Sequence, residues 1–271
     1  MSVPIALVTG AGGGLGSSVC RRLHELGYTV VATDRAPDLL AEFRDAPGYV
    51  AMTLDVTDTA SAQAVAAAID AQFGRLDLVI SNAGMIGYFP VVEMDPDEIV
   101  RHFQVNTFGT LRVVHACLGL LVATGGRVVT ISSESYRFRN PFQIYQSTKL
   151  ALEGLCDVLR RELRPLGVQL TTVRPGAIDT ELFRAMREIT NPVAPSRLNR
   201  PFIRFATALE RRPPGRVSSP DEVAAVVVRA ASARRMKPHY EINNMRALRI
   251  AGALPPAVAD RLVARMLRSA G

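Results

Sequence analysis

Short apolar, β-branched runs alternate along this chain with longer stretches whose apolar positions recur every three or four residues. Residues 5–9, 28–33, 49–54, 76–80, 127–131 and 168–173 form six such runs. Helical spacing marks 19–26, 61–73, 95–122 and 145–165, and a further helix at 220–232 leads to a last short run at 239–242. Nearly continuous apolar strands separated by helices predict a parallel sheet covered on both faces, a doubly wound α/β arrangement. Residues 182–216 break the rhythm: Pro192, Pro195, Pro201 and the pair Pro213 and Pro214 interrupt segments holding Phe183, Phe202 and Phe205. Such a stretch reads as a substrate lid or insertion rather than another βα unit. Residues 217–271 would supply a closing helix, the last strand and a C-terminal tail. With no internal repeat, residues 1–271 read as one domain.

Composition removes several classes. A hydrophobic content of 48% in 271 residues supports a real core and excludes disorder. Cys20, Cys117 and Cys156 are far apart and odd in number, so neither a disulfide framework nor a metal site is expected, and a reducing, cytoplasmic setting is. The N-terminus enters an apolar run without a basic leader, and no run reaches the ~18 apolar residues of a membrane span. The net charge of +7 is unevenly spread: residues 1–181 hold 15 basic and 19 acidic side chains, residues 182–271 hold 17 and 6. No nucleic-acid motif accompanies this charge, and no nucleic-acid partner is expected. Eight arginines (Arg184, Arg187, Arg197, Arg200, Arg204, Arg211, Arg212, Arg216) face only Glu188 and Glu210 within 182–216. That basic stretch is either a solvated outer face or a weak peripheral contact for anionic lipid or an acidic carrier.

Two motifs carry chemistry. Gly10, Gly12, Gly13, Gly14, Leu15 and Gly16 lie between the first strand and the first helix. A glycine-rich turn at a helix N-terminus offers free N–H groups and close approach to a pyrophosphate, although a plain tight turn has the same composition. The second strand ends at Asp34, where a carboxylate can accept the two adenosine ribose hydroxyls and repel a 2′-phosphate, unless it is an ordinary solvated turn residue. The adjacent Arg35 partly offsets that repulsion; NAD rather than NADP is expected. Tyr145 and Lys149 stand four apart on one helical face, so the ammonium should lie near the phenol, lower its pKa and make it a general acid/base.

These residues resemble the short-chain dehydrogenase/reductase family, whose fold is a Rossmann-type parallel sheet of seven strands. The glycine loop matches the family's cofactor loop, and Asn82, Ala83 and Gly84 its sheet-stabilising turn. Asp55 and Val56 match its adenine contact. Asn106, a serine in the strand end at Ser132 and Ser133, Tyr145 and Lys149 resemble its catalytic tetrad. Pro175, Gly176, Ile178 and Thr180 match the segment that holds the nicotinamide carboxamide. The resemblance implies that Tyr145 moves the substrate proton, the serine polarises the carbonyl, Lys149 binds the nicotinamide ribose and Asn106 positions a relay water. The serine departs from the pattern, because Ser132 has the family's spacing to Tyr145 and Ser133 its place at the strand end. Strand register favours Ser133, since a loop absorbs a one-residue deletion more easily. A second departure, Arg137 and Arg139 in the following loop, reads as solvated charge or as a substrate-facing arginine.

The last third resembles, more loosely, the retinol-type and 17β-hydroxysteroid-type branches. The expected activity is therefore an NAD-dependent dehydrogenase interconverting a secondary, or lipophilic primary, alcohol and its carbonyl. Phe142, Phe183, Met186, Phe202 and Phe205 are candidate pocket walls, though each individually reads more readily as ordinary core or lid packing. Reduction of a 3-oxoacyl thioester is a second enzymatic reading, and an NAD(H)-sensing regulator a non-enzymatic one. Gly154 and Ala151 form a small-residue face, explained by packing within the chain or by a homodimer or homotetramer.

Overall fold

The structure, a computed structural model, describes residues 2–181, 183–184, 196–211 and 216–268. Seven strands, β1 (Ile5–Thr9), β2 (Thr29–Asp34), β3 (Tyr49–Thr53), β4 (Leu78–Ser81), β5 (Arg127–Ile131), β6 (Gln169–Pro175) and β7 (His239–Ile242), form one sheet in the order β3-β2-β1-β4-β5-β6-β7. Every pairing is parallel. The order reverses between β1 and β4, which opens a crevice beyond their C-terminal ends, the usual ligand position in such sheets.

Alternate strand residues feed two cores. On one face Leu7, Val79 and Val128 meet α2 (Thr59–Phe73) through Val65 and Ile69, and α6 (Ile144–Leu163) through Leu152 and Leu159. On the other, Val8, Ile80 and Val129 meet α1 (Gly14–Glu25) through Val19 and Leu23. The helix α8 (Pro220–Ser232) completes that layer with Val223 and Val227, so the central strands are covered on both sides, while β3 at the edge is only half-buried. A capping box between Ser219 and Glu222 fixes where α8 begins.

The expected helix over 95–122 is broken. It resolves into α3 (Pro96–Phe103), a π-helical turn (Gln104–Phe108), α4 (Gly109–Ala116) and α5 (Leu118–Thr124), with a 60° bend before α5. Periodicity survives one inserted residue, so the wide turn leaves no mark in the apolar pattern. Among the described residues no single helix is long and apolar enough to cross a membrane.

The proline-interrupted stretch contains a regular helix, α7 (Asn199–Arg211), and the tail forms α9 (Arg246–Gly252) and α10 (Pro256–Arg268). Phe202 and Phe205 are buried against Phe142, with ring centroids 5.4 and 5.5 Å apart, and Met266 and Leu267 of α10 close the cluster. These three phenylalanines therefore anchor α7 to the body of the fold and line no open pocket among the described residues. Met186, Arg187, Glu188 and Arg212, and the side chains of Glu210 and Arg211, lie outside the described residues. Arg184 pairs with Asp179, Arg204 donates to the Leu267 carbonyl and Arg216 pairs with Glu222, so part of the basic face is spent within the chain.

Candidate active site

The glycine loop turns where β1 meets α1. Gly10 has φ of +66°, and a Cβ there would lie 2.9 Å from Ala83 Cα; at Gly16 it would lie 2.0 Å from the Gly10 carbonyl oxygen. Neither position admits a side chain without moving backbone. The helix starts at Gly13 with no side-chain cap and no acidic residue in its first turn. Its positive end faces the crevice, as a pyrophosphate requires. Leu15 buries its side chain in the core and presents only backbone there. Asp34 is held at the end of β2 by long hydrogen bonds of 3.3 Å from the Gly12 and Ala36 N–H groups, which leave most of its acceptor capacity free. Arg35 beside it is exposed.

The turn after β4 is stapled to this loop. Thr9 Oγ1 accepts from the N–H groups of Asn82 and Ala83, and Asn82 Nδ2 donates to the Thr9 and Gly10 carbonyls, all at 3.0 Å. Burial opposes the charge of Asp55, but bonds from the Thr57 N–H and hydroxyl, with Arg35 and Arg101 nearby, hold it below the usual carboxylate range. One Asp55 oxygen is thus committed to its own turn. Val56 is buried against Gly109, where the π turn ends.

Asn106 sits inside that π turn, 1% exposed. Its Oδ1 accepts from Met85 N–H at 2.7 Å, while Nδ2 donates to the Met85 carbonyl at 2.8 Å and to Thr148 Oγ1 at 3.0 Å. Thr148 in turn donates to the Tyr145 carbonyl at 2.6 Å. The amide therefore locks the loop after β4 to the first turn of α6, and its oxygen is already in use. Thr148 carries no mark in the sequence beyond its place between Tyr145 and Lys149, because its role depends on meeting Asn106 across the fold.

Tyr145 and Lys149 share one face of α6, as expected, with Nζ 5.6 Å from the phenol ring centroid. The expected pKa effect is not what this arrangement produces. Lys149 is buried and donates to the Ile131 carbonyl at 2.8 Å. Burial pushes the phenol up to about 12, against the pull of a hydrogen bond with Ser133, and holds the ammonium down to about 8. Desolvation outweighs a cation that is turned toward β5.

The two candidate serines separate cleanly. Ser132 is 2% exposed and its hydroxyl has no partner. Ser133 is half-buried, acts on the Tyr145 phenol in the direction that favours its ionised form, and caps the 3-10 turn that follows it. Strand alternation puts adjacent residues on opposite faces, so only one of the pair can look into the crevice. Arg137 and Arg139 also part company. Arg139 is exposed, whereas Arg137 pairs with Glu241 and stacks on Tyr136, whose ring also meets Arg174. Arg137 is thus neither a solvated charge nor a substrate-facing one.

The segment after β6 returns to the glycine loop. Ile178 bridges to Ser218, and the Thr180 methyl lies 3.6 Å from the place a Cβ on Gly14 would take. Gly176 packs against the Asn243 carbonyl and the Glu134 carboxylate. A cavity of about 660 Å³ opens beside this segment, lined by Asp179, Phe183, Arg184, Val217, Ser219 and Glu222. Of the candidate pocket walls, only Phe183 reaches it among the described residues.

Comparison with known proteins agrees with this geometry. A family model described as short chain dehydrogenase matches residues 4–191. The short-chain dehydrogenase ptmH of Penicillium ochrochloron is 35% identical over 181 residues, 66% of this chain and 67% of that one. An uncharacterized oxidoreductase of Methylorubrum extorquens is 32% identical over 235 residues, 84% of this chain and 90% of that one. The crystal structure of a short-chain dehydrogenase from Streptomyces avermitilis superposes with a TM-score of 0.77 at 26% identity, covering 98% of this chain and 96% of that one. The chain belongs to the short-chain dehydrogenase/reductase family and is an oxidoreductase of it.

Proposed function

We propose that this oxidoreductase interconverts a secondary, or lipophilic primary, alcohol and its carbonyl with NAD, on a sizeable apolar skeleton of steroid or retinol type. The observation that carries the reading is the meeting of Tyr145, Ser133 and Lys149 beyond the end of β5, beside an uncapped helix N-terminus. A dinucleotide fits this chain: the loop has no side chain to displace at Gly10 or Gly16, and Asp34 keeps free lone pairs at the end of β2. Bound there, NAD would supply the hydride acceptor. The α1 N-terminus would hold the pyrophosphate, Asp34 the adenosine ribose, Asp55 and Val56 the adenine, and Ile178 and Thr180 the carboxamide.

Tyr145 exchanges the proton at the substrate oxygen, and Ser133 donates a hydrogen bond to that oxygen. Lys149, whose ammonium is only weakly favoured over its neutral form, holds the nicotinamide ribose and passes protons on toward solvent. Asn106 acts by fastening: its side chain fixes Met85 and the α6 turn that carries Tyr145. The phenol being raised to about 12 makes it a proton donor at neutral pH until a bound cofactor and substrate change its surroundings, which suits carbonyl reduction. One apolar feature supports the substrate class: Phe183 presents apolar surface at the cavity.

Self-association belongs to the same proposal. Phe108, Leu111, Leu150 and Val158 are exposed on the π turn, α4 and α6, and a Cβ on Gly154 would meet nothing within 4 Å. Among the described residues nothing packs onto this small-residue position, which favours a second copy pairing along α6. A panel of hydroxysteroids, retinol and simple secondary alcohols, read by NADH absorbance with NAD and NADP in parallel, tests the activity. Tyr145→Phe should abolish turnover while leaving NADH binding nearly intact; turnover within about tenfold of wild type would remove Tyr145 from its role.

A further inference from the structure

Behind Ser133 the chain makes a 3-10 turn, Glu134–Arg137, that the reading above does not use. Ser133 Oγ accepts two hydrogen bonds from Ser135: one from its N–H at 3.2 Å and one from its hydroxyl at 2.9 Å. A serine hydroxyl has two acceptor lone pairs and one proton. With both lone pairs engaged, Ser133 has only its proton left to offer, and that proton must point away from Ser135. The titrating group on which the Ser133 hydroxyl acts is the Tyr145 phenol, whose ionised form it favours.

We infer that Ser135 is a positioning residue, which occupies the acceptor side of Ser133 and so commits the single proton of that hydroxyl to the side of Tyr145, where the substrate oxygen would take it. The inference rests on the dehydrogenase reading of the site and names a residue that reading does not require. In the absence of Ser135, Ser133 could equally accept from a water or rotate to donate backwards, and would spend part of its time in orientations useless to a carbonyl oxygen.

The turn is held firmly enough for this to matter. The buried Glu134 carboxylate accepts from Met245 N–H at 2.6 Å, tying the turn to the chain beyond β7. A Cβ at Gly252 of α9 would lie 2.4 Å from the Arg137 carbonyl oxygen, so α9 lies directly on the turn. Arg137 pairs with Glu241 at the end of β7. Ser135 thus sits on a loop fixed at both ends, where a hydrogen bond translates into orientation rather than into loop movement.

The test compares Ser135→Ala, Ser135→Thr and wild type, with Tyr145→Phe as a separate control. A neutral hydrogen bond of ordinary strength predicts that Ser135→Ala loses about three- to tenfold in kcat, with the NADH dissociation constant unchanged. In the alcohol-oxidation direction Tyr145 must be deprotonated to act as base, and a donor from Ser133 favours that form. The rising limb of the kcat–pH profile should therefore move up by roughly half to one pH unit in Ser135→Ala. Ser135→Thr keeps the hydroxyl and should bring both kcat and the limb back toward wild type. A purely structural role would lower thermal stability without moving the limb, and that result overturns the inference. So does Ser135→Ala with kcat within about twofold of wild type and an unmoved limb. If Tyr145→Phe is itself active, the dehydrogenase reading fails instead, whatever Ser135 does.

Discussion

Asn106→Ala should act first on stability, because the structure gives this side chain three hydrogen bonds and almost no exposure. The substitution removes the 2.7 Å bond from Met85 N–H, the 2.8 Å bond to the Met85 carbonyl and the 3.0 Å bond to Thr148 Oγ1. At about 1 kcal/mol for each, with some recovery because Met85 is half-buried and can find water, the loss is about 2–3 kcal/mol. For a chain of this size that corresponds to a fall in Tm of roughly 4–6 °C. Differential scanning calorimetry reads it directly. Asn106→Asp is the informative companion. It can still accept from Met85 N–H, but it loses both donated bonds and sets a carboxylate against the Met85 carbonyl, so it should be no more stable than the alanine variant. Activity should fall along with stability in both, since the same bonds fix the turn of α6 that carries Tyr145. A Tm change under about 1 °C in Asn106→Ala, or an Asp variant close to wild type, would refute the claim that this amide clamps the π turn to the loop after β4.

The remaining expectations concern single residues. Ser133→Ala should cost at least about tenfold more turnover than Ser132→Ala, because only Ser133 reaches the phenol; the reverse ranking in a steady-state assay would show that spacing to Tyr145 outweighs strand register. Asp34→Ala should weaken NAD binding and narrow its advantage over NADP, measured by fluorescence titration; a wild-type preference for NADP would contradict the reading of that carboxylate. Lys149 is held near a pKa of about 8 in the fold against 10.5 ordinarily, so between those values the unfolded chain binds the extra proton and wild-type stability should rise with pH. Lys149→Met removes that contribution, and the difference in Tm between variant and wild type should shift in favour of wild type on going from pH 8 to pH 10. A difference independent of pH would show that the ammonium is not desolvated.

The alternation of uniformly apolar runs with amphipathic stretches determined the doubly wound sheet, since a strand buried on both faces has no polar position to spare and each crossover must be a helix. The glycine loop, Asp34, and the Tyr145 and Lys149 pair were likewise legible, because each rests on local geometry: a turn at a strand end, or a four-residue step along a helix. What the sequence could not hold was direction and partnership across the fold. The ammonium of Lys149 lies over the Tyr145 ring as expected but also donates to the Ile131 carbonyl, and burial, not the neighbouring charge, governs the Tyr145 proton. The choice between Ser132 and Ser133 depends on which face of the sheet each meets, and the chain's spacing alone pointed both ways. The π turn at Gln104–Phe108 hides within an unbroken apolar period, yet it is what lets Asn106 reach Met85 and Thr148. Phe142, Phe202 and Phe205 are compatible in sequence with pocket walls or with core packing, and contact with one another and with α10 decides for the core. Local pattern set the elements, because backbone hydrogen bonding and side-chain periodicity are short-range; the site took its form from contacts between residues distant in sequence, where desolvation and shared hydrogen bonds exist only once the chain is folded.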